Sequence, residues 1–226
     1  MIDELFQDIP RFYTALAEWM ACGVYLALLK KRFSGWGTAA FGAAALAVQS
    51  LFLILTDDLP TIFWIPCMMA AVGFMFFYLL GTCRISALGA GYCCARAFLM
   101  AEFAASLEWQ LHVYLLHVGA DVWCLRLCLL PVVYGAVFAG SYFLEKPVFS
   151  EEYLSQLTLR EFVSAAGIVV AAFSLSNLSF VAGNTPFTSS LMKDIFIIRT
   201  LMDLGGVAVL YAFQSRISWA LPSSPC

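Results

Sequence analysis

Seven apolar runs, each long enough to cross a bilayer as a helix, follow one another along 226 residues and leave little chain between them. A hydrocarbon core about 30 Å thick takes roughly 20 helical residues at 1.5 Å each. The runs cover residues 12–29, 38–55, 62–80, 85–107, 122–144, 162–181 and 195–214. With 12% charged residues against 62% hydrophobic ones, and a mean hydropathy of +0.87, the chain has too little polar surface to clothe a water-soluble core. Its solvent is lipid. Helices follow from the run length and from the lack of the ten-residue alternation of a barrel strand. The sequence therefore predicts an all-α, multi-pass protein of the cell membrane: a seven-helix bundle over residues 1–214, with a short tail over 215–226. The first run is too long for a cleaved signal peptide, and Asp3, Glu4 and Asp8 precede it where such a peptide carries positive charge.

Lys and Arg in short loops set orientation. With the N-terminus outside, the inner segments hold Lys30, Lys31, Arg32, Arg84, Lys146, Arg160 and Arg216, and the outer ones only Arg11 and Lys193. That bias places the N-terminus outside and the C-terminus in the cytoplasm, which an odd number of spans requires. Punctuation agrees. Pro60 suits the start of the third helix, and Thr158-Leu159-Arg160-Glu161 has the spacing of a capping box before the sixth. Asn184-Thr185-Pro186 reads as an outer turn, and Ser150–Leu159 as a short surface helix. Most of the six tryptophans lie near span ends, as interfacial indoles do. Glycines 37, 42, 89, 91, 205 and 206 are candidates for close helix crossings.

Glu18, Arg96, Glu102, Glu108, Arg126, Arg199 and Asp203 lie inside the runs. Each costs about 2.5–3.5 kcal/mol at a helix centre on the insertion scale, so each needs a partner or a purpose. Counted along the helices, Glu18, Glu102, Arg126 and Arg199 fall in the outer half, Glu108 near the outer edge, and Arg96 and Asp203 near the middle. Arg199 and Asp203 are four apart and are expected to pair along one helix. Arg96 and Glu102, six apart, must find partners on other helices. These charges are either ion pairs that hold the bundle together or the lining of a polar, ligand-binding cavity. Asn177, with Ser174, Ser176 and Ser179 on the sixth span, joins the polar-core candidates as an interhelical hydrogen-bonding group.

Other chemistries lack the residues they need. His112 and His117, expected in the outer loop between spans four and five, have spacing that puts them on different helix faces, and they read as interfacial histidines. Seven of the eight cysteines lie in or at the ends of apolar runs, where thiols act as small hydrophobes, so neither metal nor disulfide is assigned. There is no phosphate loop, zinc-protease motif or nucleophile elbow, and no cofactor site is expected. A net charge of −3 without a basic patch gives nucleic-acid binding no support.

Residues 96–110 read Arg-Ala-Phe-Leu-Met-Ala-Glu-Phe-Ala-Ala-Ser-Leu-Glu-Trp-Gln. Further on come Ser176-Asn-Leu-Ser-Phe-Val, Asn184-Thr-Pro-Phe and Arg199-Thr-Leu-Met-Asp-Leu-Gly-Gly-Val-Ala-Val-Leu-Tyr-Ala. In this order they resemble the N-terminal membrane region of bacterial sensor histidine kinases with a GHKL-type ATPase domain, over almost the whole chain to about Gln214. The resemblance implies a homodimeric two-component sensor that detects a small-molecule or peptide signal. It would act on a response regulator only through a kinase domain that this chain lacks, and Arg96, Glu102, Glu108, Asn177, Arg199 and Asp203 would be its polar core. The tail departs from that pattern. Pro222 and Pro225 interrupt the charged heptad helix that should follow, so a truncated or frameshifted product, or a sensor standing alone, is expected, with no enzyme activity in this chain. A small transporter, or the substrate-binding subunit of one, is the alternative, although neither the internal repeats nor the broken spans of many transporters are seen.

Overall fold

A computed structural model describes residues 9–57, 59, 63–117, 123–147, 149–176 and 192–220, and every regular element among them is a helix. Seven are long: α1 (Arg11–Leu28), α2 (Gly35–Leu55), α3 (Trp64–Thr82), α4 (Ala87–His117), α5 (Trp123–Glu145), α7 (Leu159–Ser176) and α8 (Met192–Ala220). The eighth, α6 (Glu151–Ser155), is little more than one turn. Each long helix overlaps one apolar run. Pro60, Asn177 and the Asn184-Thr185-Pro186 turn lie outside the described residues.

Four helices, α2, α3, α5 and α7, are long and apolar enough to cross a membrane, and they make this a helical membrane protein. Their outer faces carry large bare hydrophobes such as Leu51, Phe77, Val132 and Val170, while Glu18, Arg96, Glu102, Glu108 and Asp203 are buried. Apolar outside and charged within is the distribution hydrocarbon demands. The charges sit on α1, α4 and α8, and the packing shelters them. α4 is the hub, touching α1, α3, α5, α7 and α8, while α1 also meets α2, α3 and α5.

The helices alternate in direction. Beyond α1 and α3 the chain forms a β-bridge between Lys31 and Cys83, in which Arg32 N donates to Thr82 O at 2.8 Å and Arg84 N to Lys30 O at 2.9 Å. At the opposite end Arg11, opening α1, pairs with Asp57 just past α2 at 2.6 Å. Tyr25, late in α1, bonds Glu145 at the end of α5, and Tyr92, early in α4, meets Tyr153 of α6. Lys30, Lys31, Arg32, Arg84 and Lys146 therefore gather at one end of the bundle, called here the basic end.

Local signals act where the sequence puts them. Ser150 Oγ accepts from Tyr153 N at 3.0 Å and starts α6. The capping box is reciprocal: Thr158 N donates to Glu161 Oε2 at 2.7 Å, and Glu161 N donates to Thr158 Oγ1 at 3.4 Å. Two boundaries are corrected, and the first is that α8 runs to Ala220 rather than ending near Gln214. α4 does not stop near Leu107 but runs to His117, because no Gly or Pro interrupts that stretch. Its 31 residues reach about 46 Å. His112 is thus a helical residue, stacked on Trp109 one turn earlier with ring centroids 5.1 Å apart. Trp19 lies mid-helix and donates to Gly42 O at 2.8 Å.

Among the glycines, Gly206 is the tightest crossing. A Cβ there would lie 2.6 Å from Ala172 Cβ on α7 and 3.4 Å from Leu99 on α4, whereas neighbouring Gly205 has nothing within 4 Å. An alanine methyl cannot swing away, so extra bulk at 206 must push two helix backbones apart. Gly206→Val is expected to lower stability by about 1–3 kcal/mol, while Gly205→Ala leaves it unchanged or raises it by up to about 1 kcal/mol through helix propensity. Denaturant unfolding in mixed micelles measures both; equal losses at the two sites would remove the close crossing.

Candidate functional site

The buried charges group around α4 at two levels, with a third polar point between α1 and α2. Near the basic end, Arg96 of α4 and Glu145 of α5 form a pair whose side chains are each 1% exposed. Arg96 donates to Glu145 Oε1 from Nε at 3.0 Å and from Nη2 at 2.7 Å. The same oxygen accepts from Tyr25 OH of α1 at 2.8 Å and Tyr211 OH of α8 at 3.0 Å. The guanidinium carbon stands 4.7 Å from the Tyr211 ring centroid and 5.6 Å from that of Tyr92. Cation–π attraction thus adds to the ion pair in a buried site. Tyr92 OH and Tyr153 OH, 3.2 Å apart, extend the network into α6. There burial, together with that hydrogen bond, pushes the Tyr153 hydroxyl well above its ordinary value.

Farther from the basic end, α8 is tied to α4 twice. Arg199 Nη2 donates to Glu102 Oε2 at 3.1 Å, and Ser106 Oγ donates to Asp203 Oδ2 at 2.9 Å. The pairing expected along α8 between Arg199 and Asp203 is thereby corrected. Glu102 and Ser106 are one turn apart on α4, as Arg199 and Asp203 are on α8; the helices run in opposite directions, so the two ties cross, and the guanidinium takes the cross-helix carboxylate. Ser176 of α7 lies beside Asp203, within electrostatic reach of its carboxylate but outside hydrogen-bond geometry.

Glu18 of α1 is fully buried and accepts a hydrogen bond on Oε2 from Gln49 Nε2 of α2, which also donates to Ala71 O of α3 at 3.3 Å. Its other oxygen has no partner. Glu18 and Gln49 border a cavity of about 250 Å³ between α1, α2 and α3. Glu108, also fully buried, has no hydrogen-bond partner on either oxygen. Of the remaining candidates, Arg126 lies on α5 with its side chain outside the described residues, and Asn177 is outside them altogether. Arg96 and Glu102 do find partners on other helices, but at different levels, so the polar residues form separate groups rather than one ring.

The chief residue missed by sequence reasoning is Glu145. Standing directly after an apolar run, it reads as the first residue of a loop, yet it anchors the whole lower network. The readable signal was arithmetic: Arg96 lacks an acidic neighbour on its own helix, and Glu145 is the nearest carboxylate to the expected inner face. Tyr25, Tyr92, Tyr211 and Gln49 gave no signal, since hydroxyls and amides in apolar helices are common. Among the described residues no three His, Cys, Asp or Glu side chains stand close enough to share a metal ion. The described groups form buried ion pairs and hydrogen bonds between helices. No family model, curated protein or solved structure matches this chain.

Removing one member of a dry ion pair costs more than removing both. Arg96→Met alone is expected to cost about 3–5 kcal/mol, because it strands Glu145 among aromatic rings. Adding Glu145→Leu should recover much of that loss. A double-mutant cycle by denaturant unfolding in micelles reads the coupling; additive losses would mean the pair is not formed.

Proposed function

We propose that this chain is the membrane-embedded sensor module of a two-component signalling system. In this reading seven spans place the N-terminus outside and the C-terminus in the cytoplasm, and the module passes a signal to a cytoplasmic histidine kinase. The observation that carries the proposal is the set of polar ties along α8. Arg199, Asp203 and Tyr211 each bond a buried group on α4 or α5, at three successive levels of a 29-residue helix. Apolar contacts resist sliding in small steps. Polar ties instead make the register discrete: α8 moves only by breaking one set of bonds and making another. A ligand that stabilises one register moves the equilibrium by its differential affinity, and coupling of about 1–3 kcal/mol corresponds to a 5–150-fold change.

Two further considerations support the reading. The alternating helix directions bring the basic loops to one end, as cytoplasmic loops should be. The residues of the α4–α8 ties, Arg96 through Ser106 and Arg199 through Tyr211, belong to the segments whose sequence resembles sensor-kinase membrane regions.

The test is a full-length fusion in which a dimeric histidine kinase reporter follows the C-terminus. Arg199→Ala and Asp203→Asn are expected to change basal kinase output 5–150-fold while membrane insertion stays normal. Unchanged output from both variants, or a terminal reporter found on the external face, would overturn the proposal. Saturable solute uptake by liposomes carrying the chain, absent from empty ones, would favour a transporter instead.

A further inference from the structure

We infer that the cavity between α1, α2 and α3 is a binding site for a lipophilic organic cation, an ammonium head on a single hydrocarbon body that enters sideways from the membrane. The cavity holds about 250 Å³ and is walled largely by hydrocarbon and aromatic rings, among them Trp19, Phe41, Phe74 and Tyr78. Phe41 and Phe74 also reach the outer flank of the bundle, so the mouth faces the lipid side and not the basic end. A ligand arriving there must be soluble in hydrocarbon.

One feature of the wall is not apolar. Glu18, 0% exposed, borders the cavity with Gln49; its Oε2 takes the Gln49 amide, and its Oε1 has no hydrogen-bond partner and lies just behind the cavity surface, so that an occupant reaches it by a turn of the Glu18 side chain. A buried carboxylate oxygen left bare costs several times an ordinary hydrogen bond, so the site favours an occupant that donates. Charge selects the kind of donor. Away from the basic end, Glu18, Glu102, Glu108 and Asp203 are buried, and among the described side chains Arg199 is the one buried cation set against them. Arg96 is already matched by Glu145. A cation reduces that excess; an anion adds to it, and a neutral alkyl chain fills the apolar volume but leaves Oε1 bare. The aromatic walls suit the same choice, since ammonium groups are drawn to the faces of Trp and Tyr.

Binding stands on the cavity alone. That occupation constitutes the sensed signal rests on the sensor proposal, and enters through Glu18, which lies within electrostatic reach of Glu102, the partner of Arg199.

The experiment uses the full chain in lipid nanodiscs, with a short brominated alkylamine and the brominated alcohol of equal length as probes. Bromine quenches nearby indole emission, and a Trp19→Phe control assigns the quenched signal. For the wild type, half-saturation by the amine is expected at a concentration at least tenfold below that of the alcohol. Glu18→Gln should bring the amine up to the alcohol's value and leave the alcohol unchanged. Ala45→Phe, which fills the cavity from α2, should abolish saturable quenching by both. Equal half-saturation of amine and alcohol in the wild type would overturn the cation assignment and make the occupant a lipid acyl chain. Unchanged amine binding in Glu18→Gln would remove the carboxylate from the site. Should that variant misfold, the wild-type ratio and Ala45→Phe decide. Saturable amine binding that leaves the kinase reporter silent would retain the site and sink the sensor proposal instead.

Discussion

A guanidinium and a carboxylate facing each other in a dry interior fix more of this molecule than any other contact. Neither Arg96 nor Glu145 tolerates hydrocarbon alone, and each brings neighbours with it. The carboxylate oxygen draws hydroxyls from α1 and α8, the guanidinium gathers the rings of Tyr92 and Tyr211, and Tyr92 reaches Tyr153 on α6. Five helices are thereby registered at a single level. Apolar packing between lipid-exposed helices gives little sense of axial position, since hydrocarbon slides on hydrocarbon and the surrounding lipid competes equally. The polar cluster supplies what that packing lacks: one depth at which α1, α4, α5, α6 and α8 must meet.

The helices, their order and several of their ends were legible in one dimension, because run length and capping residues are local properties. Thr158 and Glu161 read correctly for that reason; the short helix after Ser150 was legible in its start, but it ends at Ser155 and Leu159 already belongs to α7. Partner choice was not legible. Arg199 and Asp203 have the right spacing to pair along α8, and only the facing rungs of α4 decide otherwise. Glu145 escaped notice because a charge at the end of an apolar run looks the same whether it turns into water or back into the bundle. The end of α4 was misread for a related reason: charged and polar residues after Leu107 resemble a loop, yet with no helix breaker the backbone continues and those side chains find shelter or an interface. Glu18 was legible as a buried charge, while its partner Gln49 and the cavity beside them exist only once three helices are assembled.

Charge is unevenly distributed between the two levels. At the basic end the pair is matched and wrapped in rings. Away from it, acidic groups outnumber the described basic ones, and carboxylate oxygens without hydrogen-bond partners occur in both parts: Glu145 Oε2 near the basic end, and Glu18 Oε1, Asp203 Oδ1 and both oxygens of Glu108 farther off.

The bridge between Lys31 and Cys83 has a mechanical meaning of its own. Two backbone hydrogen bonds rivet the linkers that follow α1 and α3, and the Arg32 side chain adds a third by donating to Cys83 O. With Arg11 and Asp57 paired at the far rim, α1 is held at both ends, to the linker after α3 at one and to the end of α2 at the other. Sliding α1 along its axis would break both clasps at once, which makes that helix a strut rather than a lever.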